Sequence, residues 1–82
     1  MTPDEARAVI VRILNQIAPE TDFDRVDPKR ELREQLDIDS MDFLNAVMAI
    51  YDETGVDIPE ADYGELETLQ GAAEYLAAKA PA

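Results

Sequence analysis

Leu36-Asp37-Ile38-Asp39-Ser40-Met41-Asp42-Phe43-Leu44 is the stretch around which this 82-residue chain is organised. A serine stands between two aspartates, where polar sequence gives way to an apolar-periodic run. Asp39 reads as a helix N-cap and Ser40 as the first helical residue. Asp42, three positions past the cap, can reach back to the Asp39 amide and close a capping box. The Ser40 hydroxyl then stands at the exposed start of a helix. Free N–H groups and the positive end of the helix dipole favour phosphate there. A hydroxyl so placed suits attachment of a phosphodiester.

The helix that follows is expected over Ser40–Thr54, with Gly55 as its stop. Met41, Leu44, Val47, Met48 and Tyr51 make one stripe, assigned to the core. Phe43, Ala46 and Ile50 make a neighbouring stripe, so the helix is apolar around much of its circumference. Such a helix either packs centrally or presents one stripe to partners. Met41 and Phe43 are the candidates for partial exposure, and burial of both is the alternative.

Downstream, Val56-Asp57-Ile58-Pro59 reads as an extended link with its two apolar side chains turned inward. Pro59-Glu60-Ala61-Asp62-Tyr63 reads as a short helix broken at Gly64. Thr68 caps a last helix, with Leu69, Ala72, Ala73, Tyr75 and Leu76 facing in. Gly71 inside it permits close packing, at some expense in helix propensity. Residues Ala77 to Ala82 are expected to fray.

Upstream, Thr2-Pro3-Asp4-Glu5 combines an N-cap, a first-turn proline and a capping box. Ala6, Val9, Ile10, Ile13, Leu14 and Ile17 then keep to one helical face. The helix ends near Ala18, because Pro19 disfavours helical backbone in the residue before it. Glu20 to Ile38 is a long connection, tacked to the core by Phe23, Val26, Leu32 and Leu36. Asp27-Pro28 is expected to open a helical turn that runs to about Glu34. Arg25, Lys29, Arg30 and Arg33 cluster in this connection. They read either as a basic rim facing a partner or a phosphate, or as a solvated face that offsets local acid. No strand-like alternation or repeat appears. The expected fold is all-α: one domain over residues 1–82, with three main helices, one short helix and a long loop between the first and second.

Composition narrows the chemistry. A chain this short buries only about 60% of its unfolded surface, so modest stability is expected. It has neither cysteine nor histidine. That removes disulfides, thiol nucleophiles, zinc sites with Cys or His ligands, and Ser-His or Cys-His catalytic pairs. No apolar run approaches the eighteen or so residues of a membrane span. The N-terminus lacks a signal-peptide pattern, so the cytoplasm is the expected compartment. Net charge is −12, and six of the seven bases lie between Arg7 and Arg33. From Glu34 to Ala78 there are twelve acids and no Lys or Arg. Such a field repels nucleic acid and anionic membranes and attracts basic protein surfaces, its plain alternative being a solubilising surface.

The chain also carries a family resemblance, over roughly Ala6 to Leu76. Leu36-x-x-Asp39-Ser40-Met41, then Val47-Met48-Ala49-Ile50, then Gly55-Val56-Asp57-Ile58-Pro59, resembles an acyl carrier protein. The tripeptide alone is a weak signal; with the apolar helix and the Gly-Val-Asp-Ile-Pro segment at the right distance it is a strong one. The resemblance implies a carrier and not an enzyme. Ser40 would bear a covalent 4'-phosphopantetheine arm, with Asp39 and Met41 beside it. It implies a pantetheinyl transferase that installs the arm from coenzyme A, and acyl-transferring and synthase enzymes with basic docking surfaces. These would dock on the second helix, for which Asp42, Phe43, Asn45, Ala46 and Asp52 are the candidate contacts. The pathways implied are fatty acid, lipid or polyketide-type synthesis.

Two departures from the family pattern stand out. Asp37 occupies the place of a common glycine two residues before the Asp-Ser pair, adding charge near the phosphate. Asn45 and Tyr51 stand mid-helix, where the family typically carries acids. A specialised carrier with its own partners is therefore expected. Small residues at Ala46, Ala49, Ala72 and Ala73 either leave room for an acyl chain or simply pack closely.

A peptidyl or aminoacyl carrier shares this motif logic. From a different class, an unmodified acidic helical adaptor would use Ser40 only as a helix cap. Asp37-x-Asp39-x-x-Asp42 fails as an EF-hand loop, since Met41 stands at the fifth position and no glycine follows. No metal site is therefore assigned. A hydrolase built on Ser40 lacks a histidine base and a Gly-x-Ser-x-Gly elbow. Monomer is the default state, since no apolar surface clearly asks for a second copy.

Overall fold

The computed structural model describes residues 1–80. Helix α1 spans Pro3–Ile17 and α2 spans Leu32–Gln35. Helix α3 spans Ser40–Thr54 and α4 spans Leu69–Lys79. A 3-10 turn at Phe23–Arg25 and a 3-10 segment at Glu60–Leu66 complete the order. Among the described residues there is no strand, only an isolated bridge between Glu31 and Thr68. The fold is all-α, as the sequence implies. It has three long helices, the expected short helix as the 3-10 segment, and a further short helix inside the long connection.

The helix ends follow local chemistry. At α1 the Thr2 amide donates to Glu5 Oε1 at 2.9 Å, and the Glu5 amide donates to Thr2 Oγ1 at 3.1 Å. Those bonds from Thr2 hold the Glu5 carboxyl below its ordinary range. Helix α3 stops at Gly55, whose φ of 74° lies in the left-handed region that a glycine enters without a Cβ penalty. At α4 the Thr68 hydroxyl accepts from the Gly71 amide at 2.9 Å.

The core gathers Ala6, Ile10, Ile13 and Leu14 from α1 with Leu69, Ala72, Ala73, Tyr75 and Leu76 from α4. Helix α1 packs against both α4 and α3, and an Arg12–Glu53 ion pair ties α1 to α3 at the surface. Val56 and Ile58 are buried, as their inward placement predicts. Tyr75 Oη donates to Asp62 Oδ2 at 2.7 Å and so pins the 3-10 segment to α4.

The long connection is anchored along its length. Val26, Leu32 and Leu36 are buried, and Phe23 is half-buried. The Gln35 side chain accepts from the Asp27 amide at 2.7 Å and donates to the Asp27 carbonyl at 2.9 Å. Backbone bonds stitch the connection to the far end of the chain. The Leu32 amide donates to the Glu67 carbonyl at 2.7 Å, and the Gln70 amide to the Pro28 carbonyl at 2.9 Å.

Four expectations need correction. The helical turn does not run from Pro28 to Glu34. Asp27 Oδ1 caps a tight local turn through the Lys29 amide, Glu31 is extended with ψ 128°, and α2 begins only at Leu32. Gly64 does not break the short helix, which runs through it with no positive φ there. Helix α4 continues to Lys79 instead of fraying from Ala77, because Ala77 still packs on the core. Pro81 and Ala82, also placed in the frayed end, lie outside the described residues. The fourth lies in α3, where the apolar stripe assigned to the core is mostly exposed.

Candidate functional site

Helix α3 opens as its sequence predicts. Asp39 is the N-cap, extended at φ −106°, and its Oδ1 accepts from the Asp42 amide at 2.9 Å. The Asp39 amide donates in return to Asp42 Oδ2 at 3.2 Å, closing the capping box. Both carboxylates therefore face backbone N–H groups. Ser40 follows as the first helical residue, and its side chain is exposed.

Arg33, on α2, points its guanidinium at this hydroxyl: Nη2 donates to Ser40 Oγ across 3.4 Å. Of the clustered bases, Arg25 and Arg30 lean instead on Asp22 and Glu34, at 3.6 and 3.9 Å.

Below Ser40 lies an apolar cavity of about 370 Å³. Ser40, Arg33 and Glu67 contribute to its polar lining, and Leu14, Phe43, Ala46, Val47 and Ile50 are among its apolar residues. Its size falls within the range of ligand pockets, about 300–1,000 Å³. On the far side Tyr63 packs edge-on against Phe43, with ring centroids 5.3 Å apart and planes at 71°.

The two apolar stripes of α3 are the reverse of what periodicity predicts. The stripe assigned to the core is mostly outside: Met41 is 67% exposed, Met48 64%, Tyr51 54% and Leu44 41%. Only Val47 of that set is buried. The neighbouring stripe is the inner one, with Ala46 and Ile50 buried and Phe43 half-buried on Tyr63. Met41 is thus exposed as one reading had it, and Phe43 is turned toward the cavity. Ala46, a candidate docking contact, is only 7% exposed, so its methyl belongs to the core. Asn45 and Asp52 stand on the solvent side, and Asp42 is half-buried in the cap. Asp37 is exposed in the turn before the cap.

Three contributors to the site had no role in the sequence reading. Ile38, Tyr63 and Leu66 line the cavity from connecting segments. The 3-10 segment carries no 3.6-residue apolar period that would have marked Tyr63 or Leu66. Arg33 was visible only as one base among four.

The arrangement suits a phosphodiester on Ser40 Oγ. It combines an accessible hydroxyl, the positive end of a 15-residue helix, a neighbouring guanidinium and an apolar cavity beneath that hydroxyl. Among the described residues no three Asp or Glu side chains converge in a group that could hold a metal ion, and no helix is long and apolar enough to cross a membrane.

Comparison with known proteins agrees with this geometry. Residues 7–76 match the family model of a phosphopantetheine attachment site. The acyl carrier protein of Myxococcus xanthus is 32% identical over 75 residues, covering 89% of this chain and 91% of its own length. That of Micrococcus luteus is 32% identical over 75 residues, covering 89% of each. That of Acidothermus cellulolyticus is 29% identical over 79 residues, covering 94% of this chain and 90% of its own. The chain therefore belongs to the acyl carrier protein family, as a carrier served by the cofactor 4'-phosphopantetheine and not as an enzyme.

Proposed function

We propose that Ser40 carries the 4'-phosphopantetheine arm, and that this chain holds acyl intermediates of fatty acid, lipid or polyketide-type synthesis. The observation that supports this most is the placement of one exposed hydroxyl at the start of α3, at an apolar cavity of about 370 Å³. In loading, Ser40 Oγ bonds to the pantetheine-side phosphorus of the coenzyme A pyrophosphate, the P–O bond of that anhydride breaks so that adenosine 3',5'-bisphosphate leaves, and the hydroxyl proton passes to a base of the transferase. The arm supplies a thiol, which a chain without cysteine lacks.

The residues of this chain then bind and shelter. Asp39 and Asp42 cap the helix start and so hold the backbone on either side of Ser40. Phe43, Ala46, Val47 and Ile50 offer the cargo an apolar refuge beside the attachment point. That lining favours an acyl chain over an aminoacyl group, whose charged amine would be desolvated there.

Partners are read as docking on the outer face of α3, where Met41, Leu44, Asn45, Met48 and Asp52 are exposed. Exposed apolar side chains in such a row mark an interaction surface better than an isolated one does. Acidity along the second half of the chain steers partners with basic surfaces. We read the chain as a single domain over residues 1–82 that works as a monomer.

Intact mass after incubation with coenzyme A and a broad-specificity pantetheinyl transferase tests the reading. One phosphopantetheine on the wild type and none on Ser40→Ala is expected, with both proteins melting alike. A folded wild type that gains no mass would favour an unmodified adaptor.

A further inference from the structure

We infer that Arg33 is a built-in counter-ion for the phosphodiester on Ser40, holding the root of the arm on the α2 side of the cavity mouth. The inference rests on Ser40 being the attachment point.

Three observations carry it. First, Arg33 is aimed at Ser40 and, among the described residues, is not paired with a carboxylate. Among the described residues its contact with Ser40 Oγ is the one side-chain hydrogen bond its guanidinium makes, and none of their carboxylates lies within ion-pair distance. At 3.4 Å that contact is longer than the usual 2.7–3.2 Å and therefore weak. A phosphate oxygen would make a shorter, charge-assisted bond of about twice the strength, and the planar fork of arginine suits it.

Second, the surroundings need a cation. Asp37, Asp39 and Asp42 crowd the start of α3, and the sequence supplies no base from Glu34 to Ala78. A further negative charge on Ser40 adds to that repulsion. The capping box offsets part of it by engaging Asp39 and Asp42 with backbone N–H groups. Among the described residues Arg33 is the one base in contact with Ser40 Oγ.

Third, the position of Arg33 is built, not incidental. Leu32 and Leu36 bury their side chains on either side of it in sequence. The Leu32 amide is bonded to the Glu67 carbonyl, and Gln35 ties the same turn to Asp27. With those anchors the exposed residue of α2 that reaches Ser40 is Arg33. It also lines the cavity beside Ser40, so the pair defines where the arm would leave the protein.

The test uses the full chain, loaded and unloaded, as wild type, Arg33→Gln and Arg33→Lys. Intact mass first establishes loading at Ser40. Melting temperatures of both forms, and the ³¹P shift of the loaded forms, are then measured in low salt and in about 1 M salt, where the screening length falls to about 3 Å. In low salt, loading is expected to depress the melting temperature of Arg33→Gln by about 2–4 °C more than that of the wild type. The ³¹P signal should shift with it, Arg33→Lys should fall between, and high salt should erase the difference. A merely structural role for Arg33 would lower both forms equally and leave the ³¹P shift alone. Loaded variants with the same ³¹P shift and the same change on loading as wild type would overturn the role of Arg33 while leaving Ser40 in place. A wild type that takes up no mass would overturn both.

Discussion

The phase of α3 is open to a direct test, because residues two apart on one helix carry large apolar side chains in opposite environments. Ile50 is 4% exposed and Met48 is 64% exposed. Truncating a buried isoleucine to alanine costs about 2–5 kcal/mol, through lost transfer energy and the cavity left behind. Ile50 borders an existing cavity, so part of its surface already lacks partner atoms. The lower half of that range is therefore expected for Ile50→Ala, about 2–3 kcal/mol. For a chain of this length that is a large share of a total near 4–12 kcal/mol, and it corresponds to a fall in melting temperature of about 10–20 °C. Met48→Ala removes a side chain that is mostly in water and improves helix propensity, so its effect should stay within about 0.5 kcal/mol. Urea unfolding followed by helical circular dichroism measures both, at fixed moderate salt because the net charge of −12 makes stability salt-dependent. Equal losses at the two positions, or a larger loss at Met48, would refute the orientation of α3 and with it the outward stripe.

Three further outcomes follow from particular contacts. Burial, with help from the bond to Asp62 and nearby acids, pushes the Tyr75 hydroxyl up to about 12 from an ordinary value near 10. A raised folded value means the contribution is complete below pH 10 and is lost as pH climbs toward 12. Tyr75→Phe should therefore cost about 1 kcal/mol at neutral pH and fade relative to wild type across that alkaline window, read by melting temperature against pH. Gly71→Ala would place a Cβ 2.8 Å from the Glu65 carbonyl oxygen and 2.9 Å from Thr68 Oγ1. A clash of about 1–3 kcal/mol outweighs the 0.5–1 kcal/mol of helix propensity gained, so urea unfolding should show a net loss of about 1 kcal/mol. Asn45→Glu restores an acid on the exposed face of α3 and should raise the rate of coupling to standard fatty acid synthase enzymes several-fold in low salt. Stopped-flow association at two salt concentrations reads it, and no gain would count against specialised docking.

What the sequence made legible is what local chemistry decides. Thr2, Asp39 and Thr68 each receive a backbone N–H from three residues ahead, and Gly55 takes the left-handed turn in place. Those positions set where the three long helices begin and where α3 stops, whereas the end of α4 at Lys79 was not legible. The hydroxyl of Ser40 was legible for the same reason, since its exposure follows from being first in a capped helix. The rotation of α3 about its axis was not legible. Nine of its fifteen residues are apolar, so the pattern has no single face, and contacts distant in sequence must choose one. The ring of Tyr63 against Phe43, and the packing of α1 against α3, make that choice. Arg33 illustrates the same limit. Its aim depends on α2 being bonded to Glu67, 35 residues away from Leu32, and no local pattern announces that bond.

The helical phase separates tasks that the sequence runs together. Val47 and Met48 are adjacent, yet one faces the cavity and the other faces water. On the proposed reading, the inner side of α3 shelters cargo and the outer side meets enzymes, so a substitution can alter one without the other. The same separation explains how a chain of net charge −12 can present a helix face that is mostly neutral and apolar. Charge spread along the second half acts at range, raising encounter rates with basic partners and weakening with salt. Met41, Leu44, Met48 and Tyr51 act only on contact, where apolar area removed from water sets residence time more than arrival. A partner matched to both would combine a basic approach with an apolar seat. A partner that is basic alone would arrive quickly and leave the four exposed side chains uncovered, and this is the physical sense in which, on the proposed reading, the face would be specialised.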